Sequence, residues 1–147
     1  MPRRIPDTGE WIEASERRAL LKVLGVRGRG IGEGWAEYTV TPTNASTDGR
    51  GSVSSFAATI AADMGVLAAA TTTIDTDIEE NNGTAELSMT HVQQPSGPLL
   101  VRCEVASEAL YMRVVVITVR DERGATTAHG RGTYAVRPKA PTPPVPA

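Results

Sequence analysis

The sequence predicts an α+β fold in which one antiparallel sheet curls around a central helix, and three observations predict it. Residues 52–70 read SVSSFAATIAADMGVLAAA, alanine-rich and free of proline, with Asp63 as their sole ionisable group. A helix that is apolar all round is normally enclosed by the rest of the protein. Four segments after it have strand composition, and one segment before it alternates as strands do. At 147 residues the chain has room for a single core, which this arrangement would fill.

Taken in order, residues 7–25 carry helix signals. Asp7 with Glu10 three residues on makes a cap, Arg17, Arg18 and Lys22 follow the acids, Leu20, Leu21 and Leu24 supply anchors, and Gly25 is the stop. Residues 26–34 hold four alternating glycines and read as a loop. Over 35–42, Trp35, Tyr38 and Val40 alternate with Glu37, Thr39 and Thr41, a strand pattern. The turn formers NASTDGRG then lead into the 52–70 helix, whose opening serines can cap it. Residues 71–83 are divided: Thr73, Ile74 and Thr76 favour extension, whereas Glu79, Glu80, Asn81, Asn82 and Gly83 favour a turn.

Strands are expected over 84–92, 99–106, 110–120 and 125–136, separated by turn signals at Pro95-Ser96-Gly97 and at Asp121 to Gly124. Short links between long strands favour an antiparallel meander. The run MRVVVITV is apolar on both faces and is expected to be covered twice, by the helix within and a partner sheet without. Strand, enclosed helix, four strands is the order of the hotdog fold. The expected domain runs over 10–137, between a flexible start at 1–9 and a disordered, proline-rich tail at 138–147.

Composition narrows the partners. The chain is 40% apolar and 22% charged with a net charge of -2, and basic residues cluster no further than Arg3-Arg4 and Arg17-Arg18, so a nucleic-acid partner is not expected. The start MPRRIPDTGEWIE lacks the apolar run of a secretory leader, and the apolar stretch 56–70 is too short for a bilayer and broken by Thr59 and Asp63. No membrane partner and a cytoplasmic location follow as expectations. Cys103 stands alone, His91 and His129 lie on different expected strands, and GRGIGEG lacks dinucleotide spacing; no disulfide, metal or other cofactor is expected. Cys103 reads as a small buried apolar residue.

Three stretches carry a family resemblance. RGSVSSFAATIAADMG resembles the segment of the phenylacetate-pathway and 4-hydroxybenzoyl-CoA-like thioesterases in which a turn leads to His-Gly-Gly and then to a helix bearing an acid. TAELSMTHVQQPSG resembles the strand after that helix, and VRDERGATTAHGRGTYAV the closing hairpin. The resemblance spans about Gly32 to Val136. It implies a homodimer or homotetramer of hotdog subunits, with an acyl-CoA thioester substrate lying between two of them. By position it implies Asp63 as nucleophile or general base, and Ser54, Ser55 and Phe56 at the His-Gly-Gly place. The backbone NH of Ser55 would face the thioester carbonyl. It also implies Asp48 as the polar residue before the turn and Thr84 as a hydroxyl from the partner subunit.

A carboxylate suits thioester hydrolysis, because it can activate water or attack directly and a thiolate leaves without strong protonation. The serines also read as helix caps, and no G-x-S-x-G element surrounds them. Ser54 lacks the imidazole of the family, which leaves a second expectation: a hotdog protein that binds acyl-CoA or another apolar ligand without hydrolysing it.

Overall fold

A computed structural model describes residues 5–141 and 143–147. Arg3-Arg4 of the expected flexible start and Thr142 of the proline-rich tail lie outside them. Residues 139–141 and 143–147 carry no regular secondary structure.

The N-terminal helical region forms in two pieces rather than one. Helix α1 (Thr8–Glu16) is capped by Asp7, whose carboxylate accepts the Glu10 amide at 3.1 Å. The chain then turns at Arg17 and Arg18, where an extended Arg18 opens helix α2 (Ala19–Leu24). The break lets Leu21 and Leu24 turn inward while Ser15 is buried on α1. Gly25 stops α2 with φ 70°, and a Cβ there would strike the Thr41 carbonyl.

Two strands precede the central helix, β1 (Val26–Gly32) and β2 (Trp35–Val40), which pair antiparallel. Of the expected loop at 26–34, residues 26–32 are therefore strand and only 33–34 form the turn. Its glycines are explained by the tryptophans: a Cβ on Gly28 would come within 2.8 Å of the Trp11 ring, and Gly30 and Gly32 lie under Trp35. Glycine here makes room for indole against the backbone, a packing signal that composition alone reads as a turn.

Helix α3 (Ser55–Thr71) carries the alanine run. After it come β3 (Glu79–His91), β4 (Leu99–Ala109), β5 (Met112–Arg120) and β6 (Thr126–Pro138). The turn signal Asn81-Asn82-Gly83 lies inside β3, where the register shifts against β6 and Gly83 takes φ 88°. It marks a bulge rather than a loop. All six strands form one antiparallel sheet in the order β1-β2-β4-β5-β6-β3. The expected four-strand meander holds for β4-β5-β6 only. β3 does not pair with β4; β2 takes that place, and β3 lies at the far edge against β6.

The result is a curled sheet whose six strands all touch α3. Tyr38, Val101, Cys103, Val115, Ile117 and Tyr134 pack on the helix face made by Ala57, Ala61, Ala62, Gly65, Val66 and Ala69. Small residues allow close approach: a Cβ on Gly65 would collide with Cys103 Sγ, and one on Gly132 with Val66. The enclosure is one-sided, however. Phe56 is 63% exposed and Thr59, Ile60, Asp63, Met64 and Leu67 are half-buried, so an open stripe at helical spacing runs along α3 away from the sheet. The outer face of β5 is also open, with Val116 exposed.

Candidate functional site

Asp63 sits in the middle of the open stripe. The i−4 and i+1 neighbours of its helix turn, Thr59 and Met64, join it in lining a cavity of about 660 Å³ between α2, α3 and β3. The walls are mostly apolar, with Leu20, Ile60 and Leu87 among them; Thr84 enters from β3 and Arg18 from the start of α2. Among the described residues, Asp63 Oδ1 is the one enclosed side-chain oxygen that accepts no hydrogen bond. An enclosed polar atom left without a partner costs on the order of 1–3 kcal/mol, and an oxygen of a charged carboxylate costs more. Its field reaches the core: burial, then the Asp63 charge, pushes the Cys103 thiol up to about 12, and the same two causes raise Tyr134.

The start of α3 builds a second cavity, of about 440 Å³. The Ser54 hydroxyl accepts the Ala57 amide at 3.1 Å and the Ser54 carbonyl accepts Ala58 at 3.1 Å, a cap in the expected sense. Ser55 and Phe56 are then the first two helical residues, whose amides have no partner within a helix. Ser54 and Ser55 line this cavity together with Asp48, His91, Gln93 and Gln94. Asp48 is spent on its own turn, accepting the Arg50 amide at 2.8 Å and the Ser52 amide at 3.1 Å. Gln94 ties the strand end to the same turn through Ser52 Oγ at 2.9 Å and Arg50 at 3.0 Å.

The six residues singled out in the sequence are thus not brought to one point within a chain. Asp63 and Thr84 share the first cavity, Asp48, Ser54 and Ser55 share the second, and Phe56 lines neither. Sequence reasoning missed Arg18, which it treated as a helix-end charge, and the group His91, Gln93 and Gln94. A signal for the latter was present: HVQQP ends a strand on polar residues just before a proline, the pattern of a strand terminus facing a site. Nothing local marks Arg18, whose place depends on the break between α1 and α2.

The architecture, one curled antiparallel sheet around a helix, is the hotdog fold. Among solved structures the chain is similar to a variant of thioesterase PA1618 from Pseudomonas aeruginosa, with TM-score 0.81 and 20% identity over 93% of this chain and 98% of that one. It is similar to thioesterase HI1161 from Haemophilus influenzae, with TM-score 0.80 and 15% identity over 92% and 94% of the two chains. A third likeness is to the PaaI protein of the E. coli phenylacetic acid degradation operon, with TM-score 0.72, 17% identity, and 95% and 99% of the chains covered. At these identities the likeness is one of fold. No protein-family model matches the sequence, and no curated protein matches it. No helix among the described residues is long and apolar enough to cross a membrane.

Proposed function

We propose that this chain hydrolyses an acyl-CoA or related thioester, with the Asp63 carboxylate as general base or nucleophile. The observation that carries the reading is the enclosed, unpartnered Oδ1 of Asp63 in a cavity with mostly apolar walls. A desolvated carboxylate oxygen with nothing to accept is poised for a proton from water or for a carbonyl carbon. In the base route Asp63 takes the proton as water attacks; in the nucleophile route a mixed anhydride forms and water then releases the acid. In both, the C–S bond breaks with departure of a thiolate. The negative charge that develops on the carbonyl oxygen needs donors, and the Ser55 amide at the positive end of α3 is the proposed one.

Because Ser55 and Asp63 open into different cavities of one chain, the working site is proposed to form between two copies. The open stripe of α3 and the unpaired edge of β3 support this reading, since both leave surface that a second copy would cover. Replacing Asp63 by Asn is expected to lower thiol release from a panel of acyl-CoA esters by roughly 10²- to 10⁴-fold, the usual contribution of such a group, without changing the melting temperature downward. Equal turnover by the variant would remove Asp63 from the chemistry.

One observation favours a second reading. The Ser54 hydroxyl is committed to the cap and Phe56 stands two residues on, so residues 54–56 themselves supply neither an imidazole nor a glycine, and the one imidazole of this cavity lining, His91, comes from the end of β3 instead. A hotdog protein that holds an acyl-CoA or another apolar ligand without cleaving it would show calorimetric binding of CoA esters and no thiol release across the same panel.

A further inference from the structure

Two opposite charges share the first cavity without joining. Arg18 is fixed at its backbone, where its amide donates to the Ser15 carbonyl at 3.2 Å and its carbonyl accepts the Lys22 amide at 3.1 Å. Its side chain reaches over α3, and its Nη1 lies 3.9 Å from Met64 Sδ, a weak acceptor on the residue that follows Asp63. Among the described residues Arg18 forms no ion pair, in contrast to Arg27, Arg102, Arg113, Arg123 and Arg137. The other acid of the cavity lining, Glu86, faces Arg131 at 3.7 Å. A guanidinium carries five donors in a fixed fork suited to carboxylate or phosphate, and here that capacity is unspent one side chain away from the proposed reacting carboxylate.

From this we infer that Arg18 receives an anionic oxygen of the substrate and so sets which thioesters are accepted. The inference rests on the thioester reading of the Asp63 cavity. Apolar walls with one cation at the rim fit an acyl chain whose far end is charged, as in the monothioester of a dicarboxylic acid. The same fork would also take a phosphate of the CoA moiety. In either case Arg18 is a specificity residue, and Asp63 keeps the chemistry.

The test uses thioethers, which cannot be hydrolysed. Binding of S-carboxypropyl and S-butyl thioethers of CoA, and of the same pair made on pantetheine, is measured by calorimetry on the full chain and on its Arg18→Gln and Arg18→Lys variants. If the anion is the acyl carboxylate, the carboxypropyl ligands bind the unaltered chain roughly 10- to 100-fold tighter than the butyl ligands in both series, as expected for a charge-assisted pair. That preference then collapses in Arg18→Gln and survives in part in Arg18→Lys. If the anion is a CoA phosphate, Arg18→Gln weakens both CoA ligands by roughly ten-fold or more and leaves both pantetheine ligands unchanged. Unchanged binding of all four ligands by Arg18→Gln, at an unchanged melting temperature, overturns the inference. So does a change confined to oligomer mass. The outcome is separable from the thioesterase reading: charge discrimination without thiol release from matching esters would retain Arg18 and discard hydrolysis, and hydrolysis with an indifferent Arg18→Gln would do the reverse.

Discussion

At the scale of the residue, Ser55 makes the proposed oxyanion donor testable without loss of the helix. It is the first helical residue of α3, and Ser54 before it has φ −67° and ψ 153°, a conformation that tolerates a following proline. Ser55→Pro should therefore fold with a similar melting temperature yet lose roughly 10²- to 10³-fold in turnover, the cost of one oxyanion donor, whereas Ser55→Ala keeps its amide and its rate. Asp121 makes a prediction about acid stability. Arg123 donates to it at 2.7 Å and 3.0 Å, and the amides of Ser96, Arg123 and Ala125 add 3.0, 3.0 and 3.2 Å contacts. The Arg123 pair is the main cause, and these donors outweigh burial to bring the carboxyl down to about 2. The folded value lies below the unfolded one of about 3.9, so the stabilisation is complete above about pH 4 and is lost as pH falls toward about 2. The gap in melting temperature between the chain and Asp121→Asn should be constant near neutrality and close across that acid window.

At the scale of the element, α3 shows how closely helix and sheet are fitted. Glycine inside a helix costs about 1 kcal/mol against alanine, so Gly65→Ala would ordinarily stabilise. Here the new methyl would meet Cys103 Sγ. Gly65→Ala is expected instead to destabilise by about 1–3 kcal/mol, the range for overpacking, and the combination with Cys103→Ala to recover part of it; denaturant titration measures both. The helix itself was legible in its sequence because alanine content, caps and absence of proline all agree. Its open stripe was not, since Phe56, Ile60, Met64 and Leu67 look like core, and only the sheet's one-sided coverage leaves Phe56 exposed and the other three half-covered. β1 was illegible for a related reason: Gly28 answers to Trp11 on another element, and Gly30 and Gly32 to Trp35 on the next strand, so the cause of each glycine lies outside its own segment. β3 was found, but its early bulge was read as a turn because Asn-Asn-Gly serves both purposes.

At the scale of the whole molecule, the hotdog order was readable from the succession of segments, whereas the strand order depends on pairings no local pattern encodes. The same holds for the site. Asp63 stood out as the lone charge of its helix, but its separation from Ser55 into another cavity is a property of the fold. A site shared between copies makes a specific prediction. Asp63→Asn and Ser55→Pro chains, each inactive alone, should regain activity when co-folded, because under two-fold symmetry the mixed dimer holds one site with both residues intact. Random mixing should return on the order of a quarter of full activity. A site complete within one chain would return none.

The position of β3 has a consequence for how the protein comes into being. Among the described residues, 79–91 find their one strand partner within the chain in β6, at 126–138, near its C-terminal end. During synthesis β3 must emerge and wait while β4 and β5 are made, and α3 meanwhile lacks the part of its wrapping that β6 and β3 supply. An unpaired edge beside an alanine-rich helix is the kind of surface that chaperones shield and that aggregates when they do not. A message cut short after β5 would yield not a slightly smaller domain but a chain with a strand permanently without a partner. The last hairpin thus supplies the partner without which β3 has no place in the sheet.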